Sequence, residues 1–375
     1  MSFSPFDQHM MGIALMLARR GLGTTAPNPS VGAVIADEAT GELIARGATQ
    51  PGGRPHAETE ALKRAGARAR GATLYVTLEP CAHHGKTPPC ADAVIAAGIG
   101  RVVIGVDDPD PRVKGDGIAR LRAAGIMVET GLLGVEARWA TLGHILRVTE
   151  RRPFVQLKMA LDAAGAVPRG KAGTPLFVTG PEARAQGHLL RAQSDAIVVS
   201  SGTVRDDDPD LTCRLPGLVA RSPVRVVISR SLALSAKSKL VQTARTVPVW
   251  VFTGAEAEAG QVRELESQGV KVFRVPQSVD GVSLSAVLTV LAAEGVTRVL
   301  VEGGASLWRA FAAEGLVDEV ALFQASALPT GAAGEGASAA TLAAGLAPGL
   351  DLALASRRRV GADTLSLLRV RARNS

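Results

Sequence analysis

The sequence is poor in aromatic side chains, which make up 3% of its 375 residues and include a single Tyr. Proteins that grip single-stranded nucleic acid stack bases on aromatic platforms, and this chain has few to offer. Cysteine is scarce as well, three in all. An odd count with no framework of spacings excludes a disulfide scaffold and fits a reducing compartment. No apolar run reaches the roughly 18 residues that indicate a membrane-crossing helix. The stretch "MSFSPFDQHMMGIALMLARRGLG" has no basic residue ahead of its apolar part, so it does not read as an export signal. Phe6, Met10, Ala14, Leu17 and Ala18 recur there at helical spacing instead. The expectation is a cytoplasmic protein with neither a nucleic-acid nor a membrane partner; a homo-oligomer is left open.

Hydrophobic residues reach 46%, enough to exclude disorder, and the chain is too long for one ordinary core. The net charge of +7 favours anionic ligands. With so few aromatics, phosphorylated small molecules suit it better than single-stranded nucleic acid, although a generally basic proteome explains the charge equally well.

Strand and helix patterns alternate through the first 145 or so residues. "SVGAVIAD", "ELIARGA", "TLYVTL", "RVVIGV" and "IMVET" read as strands; "HAETEALKRAG", "ADAVIAAG" and "GIARLRAAG" read as helices. This predicts an α/β sandwich on a mostly parallel sheet. The charged segment "LRVTERRPFVQ" breaks the pattern, placing a boundary near Glu150. A first domain over 1–149 and a second α/β domain over 150–375 follow. The second has strands at "FVQLKM", "DAIVVS", "VRVVIS", "VPVWVFTG", "GVKVFRV", "TRVLVEGG" and "EVALFQ", and an Ala/Gly-rich surface loop from Gly331 to Gly349.

Two of the three cysteines fall in "VTLEPCAHHGKTPPC", some twenty residues after "PHAETEALK". His56, Cys81 and Cys90 make one imidazole and two thiolates, a three-ligand set for Zn²⁺ with one position left for water. Two thiolates also offset the charge of the cation. Cys90 directly precedes a predicted helix, whose N-terminus favours the thiolate. Glu58, two residues after His56, suits a proton shuttle for hydrolytic deamination of a base. Sharing one site with His56 requires an irregular first turn of that helix. The competing readings are a buried Cys pair, or a structural zinc completed by His83 or His84, which otherwise line the pocket mouth.

In the second half, Gly303 and Gly304 open a strand–turn–helix segment that can approach a phosphate. Arg191 and Arg214 flank "SSGTVRDDDPDLTCRL" and could clamp one. Glu302 ends a strand beside the glycine turn. Singly, each also reads as an ordinary turn or a surface charge; the three consecutive Asp read as a solvated turn or helix cap.

"TTAPNPSVGAVI", "PHAETEAL", "VTLEPCAHHGKTPPC" and "DDPDPRVKGDG" resemble the deaminase half of the bifunctional riboflavin-biosynthesis deaminase/reductase family. "LLRAQSDAIVVSSGTVRDDDPDLTCR", "VVIS" and "VEGGASL" resemble its reductase half. The resemblance implies a cytidine-deaminase-like α/β/α sandwich followed by a dihydrofolate-reductase-like α/β domain, with Zn²⁺ and NADPH as cofactors. It implies His56, Cys81 and Cys90 as metal ligands and Glu58 as general acid/base. For NADPH it implies Ala160, Phe177, Thr203, Asp207, Ser229 and the turn Gly304, Ala305, Ser306 and Leu307. For a phosphorylated pyrimidine ribosylamine it implies Arg191, Leu211, Arg214 and Glu302.

The chain departs from the family at Asp110, often Asn there, and at "KMALDAAGAVP", where Gly165 alone keeps its place and Asp162 is displaced. A substrate contact expected near Thr174 or Pro175 has no clear match, and "FQASALPTG" lacks the usual Pro. Two rivals remain: a deaminase of another base or of tRNA with a degenerate second half, and a non-catalytic nucleic-acid-binding protein on a zinc scaffold.

Overall fold

The computed structural model describes residues 3–85, 88–167, 179–278, 281–325 and 338–373. The chain divides into two compact units, Met1–Arg152 and Pro153–Ser375.

In the first unit the chain runs α1 (Pro5–Gly21), β1 (Gly32–Asp37), β2 (Glu42–Ala48), α2 (Ala57–Ala65), β3 (Thr73–Leu78), α3 (Cys90–Ala96), β4 (Arg101–Val106), α4 (Asp116–Ala123), β5 (Met127–Thr130) and α5 (Gly134–Thr149). The strands line up as β2-β1-β3-β4-β5. Only β3, β4 and β5 are parallel; β1 runs antiparallel to both neighbours, so the expected mostly parallel sheet holds for one half of it. The short link around Gly41, at φ 72°, closes β1 and β2 into a hairpin, and a hairpin forces antiparallel pairing. Every residue of β3 is buried, as expected of a strand covered on both faces. Leu74, Val76 and Leu78 meet Ala57, Ala61, Val94 and Leu121 from α2, α3 and α4. Tyr75 meets Met10, Met11, Ala14 and Ala137 from α1 and α5 on the other face.

α1 begins at a capping box, in which the Ser4 and Asp7 side chains each accept the other's backbone N–H. The Asp7 carboxylate also accepts the Tyr75 hydroxyl at 2.7 Å and Arg101 Nη1 at 2.7 Å, fastening the helix to β3 and β4. α5 is not foreseen in the sequence reading. Its eight consecutive residues from Trp139 to Leu146 are all buried, so over these two turns no polar stripe marks it as amphipathic.

The second unit contains β6 (Phe154–Leu161), α6 (Pro181–Ala192), β7 (Ala196–Ser200), α7 (Ser201–Asp207), β8 (Val224–Ile228), α8 (Lys239–Gln242), β9 (Val249–Thr253), α9 (Ala259–Ser267) and β10 (Val270–Arg274). A two-stranded ribbon β11 (Gln277–Ser278) and β12 (Gly281–Val282) follows, then α10 (Leu284–Ala293), β13 (Arg298–Val301), α11 (Ala305–Ala313), β14 (Glu319–Gln324), α12 (Ala339–Leu346), β15 (Leu352–Val360) and β16 (Asp363–Val370). The large sheet has the order β10-β9-β8-β7-β13-β6-β14-β16-β15. It is parallel from β10 to β14, and the β15–β16 hairpin is antiparallel. Helices α10, α11 and α12 cover one face. α7, α8 and α9 cover the other.

Part of the expected 331–349 loop is helical. Ala339–Leu346, capped by Ser338, forms α12, because an Ala-rich run behind an N-cap favours helix over loop. The Asp run is a helix end: α7 closes at Asp207, and Asp208 caps it at φ 37°.

Candidate active sites

His56 is the N-cap of α2, with φ −72° and ψ 161°, and the helix proper begins at Ala57. No irregular turn is needed for His56 and Glu58 to share a site. One is extended and the other sits in the first turn, and both line one cleft. Cys81 lies just past β3. Cys90 opens α3, and its N–H donates to Cys81 Sγ at 3.3 Å.

His56 Nδ1 is 3.7 Å from Cys81 Sγ and 3.3 Å from Cys90 Sγ, and the three donor atoms lie within 4.8 Å of one another. Tetrahedral Zn–N and Zn–S bonds put such atoms about 3.6 Å apart, so the spacing fits the ion. Among the described residues no fourth His, Cys, Asp or Glu joins the group; Glu58, His83 and His84 all stand outside it. Hydrogen bonding with Cys90 draws the Cys81 thiol down to about 4, and the same bond together with burial pushes Cys90 up. Burial also pushes the Glu58 carboxyl up. Three donors competing for protons in so small a space can be satisfied together by one divalent cation.

The cleft around this group has a volume of about 150 Å³. His83 lines it, as do Asn28, Thr49 and Asp110, whereas His84 is exposed and does not. Glu79 is buried and braces one wall. Its Oε2 accepts the N–H groups of Asp108 and Gly115, and its Oε1 accepts that of Ile118, all at 3.2 Å. This brings α4 against the Cys81 loop, at a spot where a Cβ on Gly117 would lie 2.1 Å from the Pro80 carbonyl oxygen. Asp110 accepts Arg112 Nε at 2.9 Å, and that guanidinium holds its carboxyl at about 2. Glu79, Asp108 and His144 were not singled out from the sequence. The "LEPC" motif carries Glu79 in plain sight, but its role depends on three backbone donors a long way along the chain.

In the second unit a cleft of about 370 Å³ is lined by Lys158, Ala160, His188, Arg191, Arg214 and Glu302, among others. Arg191 donates Nε to Glu302 Oε1 at 2.7 Å, Nη2 to Oε2 at 2.8 Å and Nη1 to the Thr212 carbonyl at 2.9 Å. Burial alone would raise the Glu302 carboxyl, yet the charge and hydrogen bonds of Arg191 hold it at about 2. Arg214 is more exposed and lies 3.5 Å from Asp210. The two arginines therefore face one cleft in different states, one locked and one on the rim. His188 Nδ1 accepts the Arg214 N–H at 3.3 Å, and burial followed by the two neighbouring arginines pushes its imidazole down. Lys158 was also missed; alternating burial along β6 hides it among apolar neighbours.

Leu211 is in the same segment, but its side chain is buried in the core at φ 58°, which leaves only its main chain to meet a ligand. Asp162 is turned onto its own loop, with Oδ1 accepting the N–H of Ala164 and of Ala166 at 2.9 Å each, while Gly165 bends the chain at φ 80°. Phe177, Thr174 and Pro175 lie outside the described residues.

Thr203, Asp207, Ser229 and Gly304 follow the C-terminal ends of β7, β8 and β13, three adjacent parallel strands. From the neighbouring ends of β7 and β13 the chain leaves toward opposite faces, into α7 and α11. Such a switch point forms a crevice suited to a nucleotide. Two features fit a bound NADPH there. No side chain caps α11 at Gly304, so the Ala305, Ser306 and Leu307 turn can present N–H groups to a phosphate. The Ser229 hydroxyl is buried and has no partner among the described residues.

Residues 4–106 match the family model described as "Cytidine and deoxycytidylate deaminase zinc-binding region", and residues 153–365 match "RibD C-terminal domain". The first unit is thus a zinc-dependent, cytidine-deaminase-like half and the second a dihydrofolate-reductase-like, NADPH-dependent half. The riboflavin biosynthesis protein RibD of Bacillus amyloliquefaciens is 39% identical over 322 residues, 86% of this chain and 85% of that protein. The solved structure of Acinetobacter baumannii RibD has a TM-score of 0.79 at 33% identity, covering 97% of this chain and 98% of that one. A Thermotoga maritima structure, described as a diaminohydroxyphosphoribosylaminopyrimidine deaminase/5-amino-6-(5-phosphoribosylamino)uracil reductase, has a TM-score of 0.78 at 33% identity, covering 97% and 99%. The chain belongs to the RibD family, the bifunctional deaminase/reductases of riboflavin biosynthesis.

Proposed function

We propose that residues 1–149 deaminate 2,5-diamino-6-ribosylamino-4(3H)-pyrimidinone 5′-phosphate and that residues 150–375 then reduce its ribosyl group to ribityl. The observation that carries this reading is the compact group of His56, Cys81 and Cys90 with the buried Glu58 in the same cleft. His56, Cys81 and Cys90 hold zinc, which when bound supplies the Lewis acidity that makes water a nucleophile at neutral pH. Glu58 takes one proton from the attacking water and delivers it to the ring nitrogen, then takes the remaining hydroxyl proton and delivers it to the amine, which departs as ammonia. Its burial supports this role, because a carboxyl pushed upward by burial is a stronger base toward the proton of water than an exposed one.

In the second half, the turn Gly304–Leu307 with Thr203, Asp207 and Ser229 receives NADPH, and Ala160 lies in the neighbouring cleft with Arg191 and Glu302. Bound NADPH supplies the hydride. Arg214, on the rim, meets the substrate phosphate. Arg191 and Glu302 shape the floor, and the Leu211 main chain adds a contact. The basic balance of the chain supports an anionic substrate. The scarcity of aromatics supports a small molecule over nucleic acid. Among the described residues no helix is long and apolar enough to cross a membrane.

The test follows ammonia release from the aminopyrimidine phosphate and NADPH oxidation with its deaminated product, before and after removal of zinc by a chelator. Chelation abolishes the first and spares the second. Ammonia release that survives loss of zinc would overturn the reading of the first cleft; no NADPH oxidation in the untreated enzyme would overturn that of the second.

A further inference from the structure

His144 is on α5 and reaches the deaminase cleft, which it lines together with His56, Glu58 and Asp108. Its side chain is 8% exposed, and its Nε2 lies 3.0 Å from Asp108 Oδ1. Asp108 is itself fixed. Its backbone N–H donates to Glu79 Oε2 at 3.2 Å, and its Oδ1 also accepts the N–H of Asp110 at 2.9 Å. A carboxylate oxygen that already receives one N–H can only accept, so the ring proton of His144 is on Nε2. Nδ1 is then left with its lone pair, buried, and without a hydrogen-bond partner among the described residues. A buried acceptor calls for a donor, and among the described residues none is supplied.

We infer that His144 is a substrate-recognition residue of the deaminase half, in which Nε2–H holds Asp108 in place and Nδ1 accepts an N–H group of an aminopyrimidine. The inference rests on the reading of this cleft as the deaminase site. The chemistry of the ligand agrees with it. An aminopyrimidinone carries amino and ring N–H donors around its edge, and Nδ1 and the neighbouring Asp108 carboxylate are both acceptors. A ligand edge made of carbonyls would leave both unpaired, so the wall discriminates between bases as well as binding them. Helix α5 thereby contributes to a site otherwise built on the ends of β3 and β4 and the starts of α2 and α3.

Two variants separate contact from packing. His144→Gln keeps an N–H at about the position of Nε2 and loses the acceptor; His144→Phe fills the ring volume and loses both. Each is measured as the full, zinc-loaded chain for ammonia release, zinc content, and NADPH oxidation on deaminated substrate. His144→Gln is expected to raise KM for deamination by about tenfold, the loss of one hydrogen bond, with kcat changed less than threefold. His144→Phe is expected to raise KM further and to lower kcat, as Asp108 is released. Zinc content and NADPH oxidation stay at the level of the unsubstituted protein in both. A His144→Gln enzyme with unchanged KM would reduce His144 to a support for Asp108 and overturn the contact, as would deamination lost in step with zinc. If the unsubstituted protein releases no ammonia, it is the deaminase reading that fails instead.

Discussion

Arg191 and Glu302 meet fork to fork, with two parallel hydrogen bonds of 2.7 and 2.8 Å between a guanidinium and a carboxylate that come from α6 and from the end of β13. Two residues far apart in sequence are thus one unit in the floor of the reductase cleft. Such a pair is costly to break from one side, because the remaining charge stays buried and unpaired. Arg191→Ala is expected to destabilise the second unit by about 3 kcal/mol, and the double variant Arg191→Ala/Glu302→Gln by less. Denaturant unfolding of the four proteins in the cycle checks this; equal losses in single and double variants would contradict it.

Cys81→Ala and Cys90→Ala are expected to carry less than a tenth of the zinc bound by the unsubstituted chain. Cys213→Ala keeps it, since Cys213 is buried in the second unit and is absent from the three-donor group. Metal analysis of the purified proteins decides the matter, and zinc retained by both of the first two variants would remove the assignment.

Much of this was legible in the sequence, for identifiable reasons. β3 and β4 fall on "TLYVTL" and "RVVIGV" because apolar runs of six residues, rich in β-branched side chains and bounded by turns, are too short for a helix and suit a buried strand. His56, Cys81 and Cys90 stand out because rare residue types at a fixed spacing are conspicuous. α5 was not legible, since a helix buried nearly all round loses its polar stripe. Its loss hid His144. The β15–β16 hairpin was missed for the opposite reason: β15 is exposed from Leu354 to Arg359 and carries Arg357, Arg358 and Arg359, so it has the composition of a charged edge rather than of a core strand. Lys158, Glu79 and Asp108 are ordinary residue types whose roles arise only from partners brought in by the fold.

Asp7 gives a prediction for acid. Burial would raise its carboxyl, but hydrogen bonds from Arg101 and Tyr75 outweigh this and hold it at about 2, below its ordinary 3.8. A carboxyl lowered by folding stabilises the folded state above its unfolded pKa, and that contribution is lost as pH falls from about 4 toward 2. Asp7→Asn is therefore expected to lower stability by about 2 kcal/mol at neutral pH, with the difference from the unsubstituted protein vanishing near pH 2. Thermal unfolding across this pH range would expose a pH-independent difference if the account were wrong.

Glu58 tests the central claim, that one chain holds two chemically separate sites with a single carboxylate moving protons in the first. Glu58→Gln preserves the volume and the zinc group, from which Glu58 is absent, and removes the proton acceptor. The measurement is the ratio of ammonia release to NADPH oxidation in this variant, with zinc content determined on the same sample. The account predicts full zinc, deamination reduced by at least about a hundredfold, as the loss of a general base requires, and unchanged reduction of pre-deaminated substrate. Deamination at the unsubstituted rate, or both activities falling together with zinc still in place, would contradict it.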